Sequence, residues 1–324
     1  SLFPSISAAG NKIAFASDSS NLSEDDNFSR DVFLWSRNEA GFVTLDLLSQ
    51  GFGEQTTANG QSTKPALSAD GTSVAFVSDA PNMGTPALPK PPGNNNPLLV
   101  YVRPLTDLST GQAVLVSPPN AALGEQANGD CGPPDIDATG NRIVYSSVAT
   151  NLADDRSSVE DIFLVDRTLS SIEVISRGPN RIPANGNSTL PYISDDGRYI
   201  AFTSDASNLV AGDSNEYGDG FRFDTRTGET IRVTLGIDGK ELGSDGVDPA
   251  ATVSDISRDG RFVAFHTTEA IVGADVDDLL DVYVHDCLLG KTILASVNDR
   301  EEASNNNSVD GKFGAGSELT FTSA

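Results

Sequence analysis

A unit of about fifteen residues that returns along the whole chain limits what this sequence can fold into more than any other feature. PSISAAGNKIAFASD (Pro4–Asp18) aligns with PALSADGTSVAFVSD (Pro65–Asp79) and with PDIDATGNRIVYSSV (Pro134–Val148). It aligns again with PYISDDGRYIAFTSD (Pro191–Asp205) and SDISRDGRFVAFHTT (Ser254–Thr268). A fainter sixth copy closes the chain, with Gly316 and LTFTS (Leu319–Ser323) in the matching places. Copies follow one another at intervals of about 55 to 70 residues, and the variation in length falls in loops.

Each copy predicts four short strands. In the first they run roughly Pro4–Ala8, Lys12–Ser17, Val32–Ser36 and Phe42–Leu48. KIAFAS and SVAFVS alternate with period two, the mark of a strand with two unlike faces. Gly10, Gly71, Gly140, Gly197 and Gly260 stand at one place in the first hairpin, where a positive φ is needed and glycine adopts it without strain. No amphipathic helix is evident. Four-stranded meanders repeated around an axis make a β-propeller, which leaves only short, protected edges.

The composite pattern P-x-I-S-x-D-G-R-x-I-A-F-x-S-D-x-S-N-L, then G-D-x-N-x-x-x-D-x-F, is carried most fully by Pro191–Phe223. It resembles the TolB-like β-propeller repeats of bacterial exported proteins, and the resemblance covers nearly the whole chain. It implies one all-β domain over residues 1–324 with six blades, near 4–50, 65–117, 134–176, 191–235, 252–297 and 308–324. The sixth is expected to be incomplete. Such propellers serve as binding platforms, as enzyme-associated domains and as assembly parts, so the resemblance specifies fold more closely than function.

Chemistry concentrates in the loop before the third strand. Asp25, Asn27 and Asp31 lie at spacing 0, +2, +6, directly before VFLW. The spacing recurs as Asp155 and Asp161 (with Ser157 between), as Asp213, Asn215 and Asp219, and as Asp275, Asp277 and Asp281. In the second copy Gly93, Asn95 and Leu99 hold these places, and the site is lost. Alternate oxygen-bearing side chains in a tight loop converge as a hard cation requires, which predicts Ca²⁺. The competing reading is a set of solvated Asx-turns. Four copies at one loop position, with carboxylate pairs that would repel unneutralised, favour the cation.

Charge narrows the partners. Lys and Arg total 21 against 46 Asp and Glu, a net charge of −25. Phosphate contacts need the opposite balance, so nucleic acid and anionic membrane surfaces are excluded as partners. The apolar runs fall far short of the roughly 20 residues of a membrane-spanning helix. The chain begins at Ser1 without a signal peptide, which predicts processing or excision from a longer precursor. With the TolB-like resemblance and weak calcium loops, this places the chain outside the cytoplasm: periplasmic, extracellular or at the cell surface.

Other features read as structural. The Asn-Gly segments Asn59-Gly60, Asn128-Gly129 and Asn185-Gly186 predict glycine-supplied turns between blades, on the same face as the Asp loops. Cys131 and Cys287 fall on opposite faces and form no disulfide. His266 and His285 lie in different strands of one blade. The Pro- and Asn-rich insertion from Ala80 to Pro97 predicts a rigid surface loop suited to a partner contact. No G-x-S-x-G, H-E-x-x-H or P-loop pattern is present, and carboxylates repeated in four blades differ from a catalytic pair needed once. The sequence therefore predicts a non-enzymatic structural, adhesive or interaction module that self-associates through its incomplete sixth blade, in an oligomer or filament. The alternative is a propeller domain of a polysaccharide-active enzyme or of a larger peptidase.

Overall fold

A computed structural model describes residues 2–22, 29–51, 58–83, 96–106, 108, 112–116, 126–153, 158–215, 217–236, 239–243, 249, 251–272, 275, 279–298, 300, 302–314 and 318–323. These form two compact units, Ser1–Ser158 with Phe163–Val174, and Val159–Ile162 with Ile175–Ala324. Among the described residues there are five four-stranded antiparallel sheets, each a meander in chain order. The first comprises Leu2–Ile6, Lys12–Ser17, Asp31–Arg37 and Val43–Leu47; the second comprises Ser62–Leu67, Ser73–Ser78, Leu99–Pro104 and Val114–Leu115. Asp135–Ile136, Arg142–Ser147, Asp161–Asp166 and Ser171–Val174 form the third. Ser188–Ile193, Tyr199–Ser204, Asp219–Asp224 and Glu229–Arg232 form the fourth, and Thr252–Ile256, Phe262–Thr267, Asp281–Asp286 and Lys291–Leu294 the fifth. A sixth sheet holds two strands, Ser308–Phe313 and Leu319–Ser323.

The predicted meander holds, with one shift. The opening strand is Leu2–Ile6 rather than Pro4–Ala8, because Ser7 to Gly10 are claimed by the turn: Ser7 N–H donates to Lys12 O and Gly10 N–H to Ser7 O. Gly197 shows why this turn is repeated. Its φ is +69°, Ser194 Oγ donates to Asp196 Oδ1, and Asp196 Oδ1 accepts the Arg198 N–H. A side chain at that φ would be strained.

The period-two alternation has a different meaning from the expected one. Ser73–Ser78, Asp161–Asp166 and Asp281–Asp286 are buried at every position. In the second strands of the sheets the two faces differ in size. Ala14, Ala75, Ala201 and Ala264 are fully buried on one side of an aromatic residue that packs on the other. In every complete sheet that aromatic stacks on one from the third strand. The pairs are Phe15–Phe33 (5.7 Å), Phe76–Tyr101 (6.2 Å), Tyr145–Phe163 (5.8 Å), Phe202–Phe221 (5.8 Å) and Phe265–Tyr283 (5.7 Å). Offset aromatic pairs add about 0.5–1.5 kcal/mol beyond the area they bury.

The sequence reading did not see a repeated bulge in the first strand of the sheets. Phe3, Lys64, Leu190 and Asp310 all have positive φ (51–56°), each at a register shift against the second strand. Nor are the Asn-Gly turns built as expected. Asn59, Asn128 and Asn185 each donate their backbone N–H to the side chain of Asn82, Asn151 or Asn208 in the facing loop. Gly186 is required there by proximity rather than by φ, since a Cβ would lie 2.6 Å from Asp205 O. These bonds confirm that the loop after the fourth strand and the loop before the third share a face.

At the other end of the sheets, arginines from the first turn clamp aspartates that end the third strand. Arg198 meets Asp224 at 2.6 Å and Arg261 meets Asp286 at 2.5 Å. The arginine hydrogen bonds hold both carboxyls down at about 2, below the ordinary 3.8. A carboxyl depressed in the folded state contributes stability above about pH 4, and that contribution is lost as pH falls through about 2. The urea midpoint is therefore expected to fall steeply between pH 4 and 2. Replacing Arg198 and Arg261 together by methionine should flatten that slope, and an unchanged slope would remove these clamps as its cause.

Candidate functional site

The +6 aspartates of the loop motif begin their third strands and are buried: Asp31 0%, Asp161 1%, Asp219 0% and Asp281 0% exposed. Each accepts a hydrogen bond from a hydroxyl just past the fourth strand, Ser49, Ser176, Thr234 and Ser296 respectively. Those hydroxyls in turn accept the N–H of Val32, Ile162, Gly220 and Val282. A closed latch thus ties the start of the third strand to the end of the fourth. The sequence signal was present as a Ser or Thr fifteen residues after Asp161, Asp219 and Asp281. It was missed because a lone hydroxyl after a strand looks like any turn residue.

The fourth loop alone has all three of its predicted residues within the described part of the chain. Asp25, Asn27, Asp155 and Asp277 lie outside the described residues. Asp213 and Asp219 come together around Arg232, whose side chain is only 7% exposed. Its Nη1 lies 3.2 Å from Asp219 Oδ2, 2.8 Å from Glu241 Oε2 and 4.0 Å from Asp213 Oδ1. Nη2 donates to Gly212 O at 2.9 Å. Glu241 is further held by the Ser214 N–H and hydroxyl. Asn215 donates Nδ2–H to Leu242 O and accepts the Tyr217 N–H, and its side chain also bonds the Asp219 carboxylate.

Burial governs the electrostatics of this cluster. It pushes Asp219 up to about 6, against the pull of Thr234 and Arg232. It raises Asp213 as well, with Arg232 opposing. Burial also acts on Glu241, but hydrogen bonds from Ser214 and Arg232 outweigh it and hold that carboxyl at about 2. A cleft of about 610 Å³ lies beside the cluster, lined by Val210, Thr230, Leu235, Lys240, Arg232 and Glu241 among others. A concavity with convergent polar groups and shifted carboxyls is the usual form of a binding site.

In the fifth sheet Asp275 is 3% exposed and accepts the Tyr283 hydroxyl proton. Tyr283 is raised well above an ordinary tyrosine by burial and by that carboxylate. Leu294 occupies the register held by Arg232 one sheet earlier: Tyr283 faces Leu294 as Phe221 faces Arg232. Among the described residues, no group of three His, Cys, Asp or Glu side chains is spaced to hold a metal ion.

The remaining reactive side chains are built into the scaffold. His285 Nδ1 lies 3.0 Å from Thr292 Oγ1, whose own proton goes to Leu235 O, so the imidazole is the donor of the pair. Burial lowers the His285 pKa and keeps the ring neutral. Cys131 stands where Ser62 and Ser188 stand in other copies, facing Ser147 as they face Ser78 and Ser204. Cys287 is a free thiol pushed up to about 11 by burial, the opposite of an activated nucleophile.

No protein-family model matches the chain, and no curated protein matches it. Solved structures do. Dipeptidyl peptidase 4 of Porphyromonas gingivalis is similar over 99% of this chain and 43% of its own, at 12% identity and a TM-score of 0.51. A protein assigned as TolB from Agrobacterium tumefaciens is similar over 90% of this chain and 78% of its own, at 17% identity and a TM-score of 0.47. Oligogalacturonate lyase from Vibrio parahaemolyticus is similar over 98% of this chain and 85% of its own, at 14% identity and a TM-score of 0.43. The expectation that the chain is not an enzyme is corrected here. The peptidase is an enzyme that contains this fold, so neither the fold nor its repetition is a ground for excluding catalysis. The repeated motif, the four-stranded meanders and the likeness in fold to a solved structure make this chain an all-β protein of the β-propeller class.

Proposed function

We propose that this chain is an exported binding propeller whose acidic loops hold Ca²⁺ and stabilise one polar face for contact with a protein partner. The observation that carries the reading is the fourth loop, where the carboxylates of Asp213, Asp219 and Glu241 gather round one positive group. Loops of the same spacing with no arginine at that register need a cation from solution. Asp25, Asn27 and Asp31 would supply one site, Asp155 and Asp161 a second, and Asp275, Asp277 and Asp281 a third. Extracellular Ca²⁺ modules bind at about 10⁻⁴–10⁻³ M, an affinity suited to a compartment with millimolar calcium. That affinity, with the TolB-like repeat, supports a place outside the cytoplasm. Among the described residues no helix is long and apolar enough to cross a membrane.

At millimolar Ca²⁺ each site adds roughly 0.4–1.4 kcal/mol by mass action. Thermal melting at fixed ionic strength is therefore expected to show a lower midpoint in EDTA, restored by Ca²⁺. Coincident curves would reject the cation role.

A second observation favours self-association. Phe321 has the register of Phe202, since Ser308 faces Ser323 as Ser188 faces Ser204. Phe202 stacks on a third-strand aromatic, whereas among the described residues Leu319–Ser323 pairs only with Ser308–Phe313. An aromatic-bearing strand, from residues that follow Ala324 or from a second copy of the chain, would complete the sheet, and the second copy is the reading tested here. Light scattering should find an oligomer that Phe321→Asp dissociates. A wild-type monomer at all concentrations would end this reading.

A further inference from the structure

The turns that precede the second, third and fourth sheets all read Ala-Asn-Gly, at Asn59, Asn128 and Asn185, and their backbones are built alike. The three asparagines donate their N–H groups to Asn82, Asn151 and Asn208 at 2.8, 2.9 and 3.1 Å. The glycines that follow are equally crowded. A Cβ on Gly60, Gly129 or Gly186 would meet Ala80 Cα at 2.7 Å, Ala149 N at 2.9 Å or Asp205 O at 2.6 Å. All three asparagines are exposed.

Their side-chain amides are held differently. Thr150 donates its N–H to Asn128 Oδ1 at 2.8 Å, and its hydroxyl accepts the Asn128 Nδ2–H at 2.9 Å. Ser207 clamps Asn185 in the same way, at 2.9 and 3.0 Å. The corresponding place opposite Asn59 is held by Pro81, one position before Asn82 as Thr150 is before Asn151 and Ser207 before Asn208. Proline has no N–H and no hydroxyl, so neither bond can form. Among the described residues the Asn59 side chain makes no hydrogen bond.

We infer that Asn59 is the site at which this chain first deamidates, and that Asn128 and Asn185 are protected by the clamp that Pro81 removes. Glycine after asparagine leaves the peptide nitrogen open to attack the amide carbon, since no Cβ shields it. The Gly60 nitrogen forms a bond to Asn59 Cγ, the Cγ–Nδ2 bond breaks, and ammonia leaves with the Gly60 amide proton. Water then opens the resulting succinimide at either carbonyl, giving aspartate or isoaspartate. For the ring to close, the carboxamide must turn until Cγ meets that nitrogen. Nothing holds the Asn59 carboxamide back, whereas those of Asn128 and Asn185 must first break two hydrogen bonds. The product also disturbs its surroundings. It places a carboxylate near Asp79, whose Oδ1 borders Gly60 and accepts the Gln61 N–H at 2.6 Å. Isoaspartate adds a methylene to the backbone and shifts the N–H that Asn82 accepts, which loosens the clasp between the two loops. The inference is independent of the calcium reading.

The test follows each Asn-Gly site by peptide mass spectrometry after the folded chain is held in warm, mildly alkaline buffer. Asn59 is expected to react about tenfold faster than Asn128 or Asn185, or more, the factor that two ordinary hydrogen bonds impose. In urea the three sites should react at similar rates, because their neighbours are alike and no clamp remains. Equal rates in the folded chain overturn the inference, as does a spread in urea as wide as that in the fold. Pro81→Thr supplies the missing clamp and should slow Asn59 to the rate of Asn128; an unchanged rate in the folded variant overturns the inference. Thr150→Val and Ser207→Ala remove one clamp bond each and should speed Asn128 and Asn185 by about two- to tenfold. Where Pro81→Thr does not fold by circular dichroism, these two variants decide, and unchanged rates in them overturn the inference.

Discussion

In calcium-free buffer, Arg232→Leu is expected to destabilise the second unit by about 3–5 kcal/mol, the usual cost of removing one partner from a buried ion pair. The side chain neutralises Asp219 and Glu241 directly and Asp213 at 4.0 Å, all at low exposure. Without it, three carboxylates face one another in a poorly solvated loop, and their repulsion adds to the lost hydrogen bonds. Arg232→Lys should lose less, because charge remains, but not nothing. The two nitrogens Nη1 and Nη2 serve different acceptors, Glu241 and Gly212 O, and a single ammonium cannot reproduce that fork. Acidification should rescue Arg232→Leu relative to wild type. Burial raises Asp219 to about 6 even with Arg232 pulling it down, and losing the arginine raises it further, so its protonation relieves the variant before the wild type as pH falls. Urea denaturation followed by circular dichroism at pH 7.5 and 5.5 measures both effects. A change within about 0.5 kcal/mol at pH 7.5, the range of an ordinary surface substitution, would mean the arginine is not structurally coupled to the loop.

The other large effect is expected in the aromatic ladder. Phe202→Ala should cost about 3–5 kcal/mol, combining lost transfer energy with the cavity left behind. Phe202 is fully buried and stacks on Phe221 at 5.8 Å. The first sheet provides the contrast. Phe15 occupies the same register against Phe33 at 5.7 Å but is only half-buried, so Phe15→Ala should cost distinctly less. The comparison separates burial from stacking, because the ring geometry is nearly the same in both. Equal losses at the two positions would show that the stack, not the burial, carries the stability.

The repeat, the meander and the hairpin glycines were legible because each depends on residues only a few positions apart. Gly197 in its turn and the alternation of YIAFTS are local necessities, and every copy restates them. The spacing of Asp213, Asn215 and Asp219 was legible for the same reason. What each aspartate does was not. Asp219 divides its two oxygens between Thr234 and Arg232, fifteen and thirteen residues away, and Glu241 joins from the following loop. These partners meet only when four strands pair in register, and only burial makes their charges strong enough to matter. The same holds for Gly186, whose lack of a side chain is explained by Asp205 O across the loop and not by its own φ. Strand order and turn chemistry are thus properties of short segments of this sequence. Whether an acidic loop closes around an arginine is decided by which residue the fourth strand presents to it at one buried register, a fact of tertiary structure.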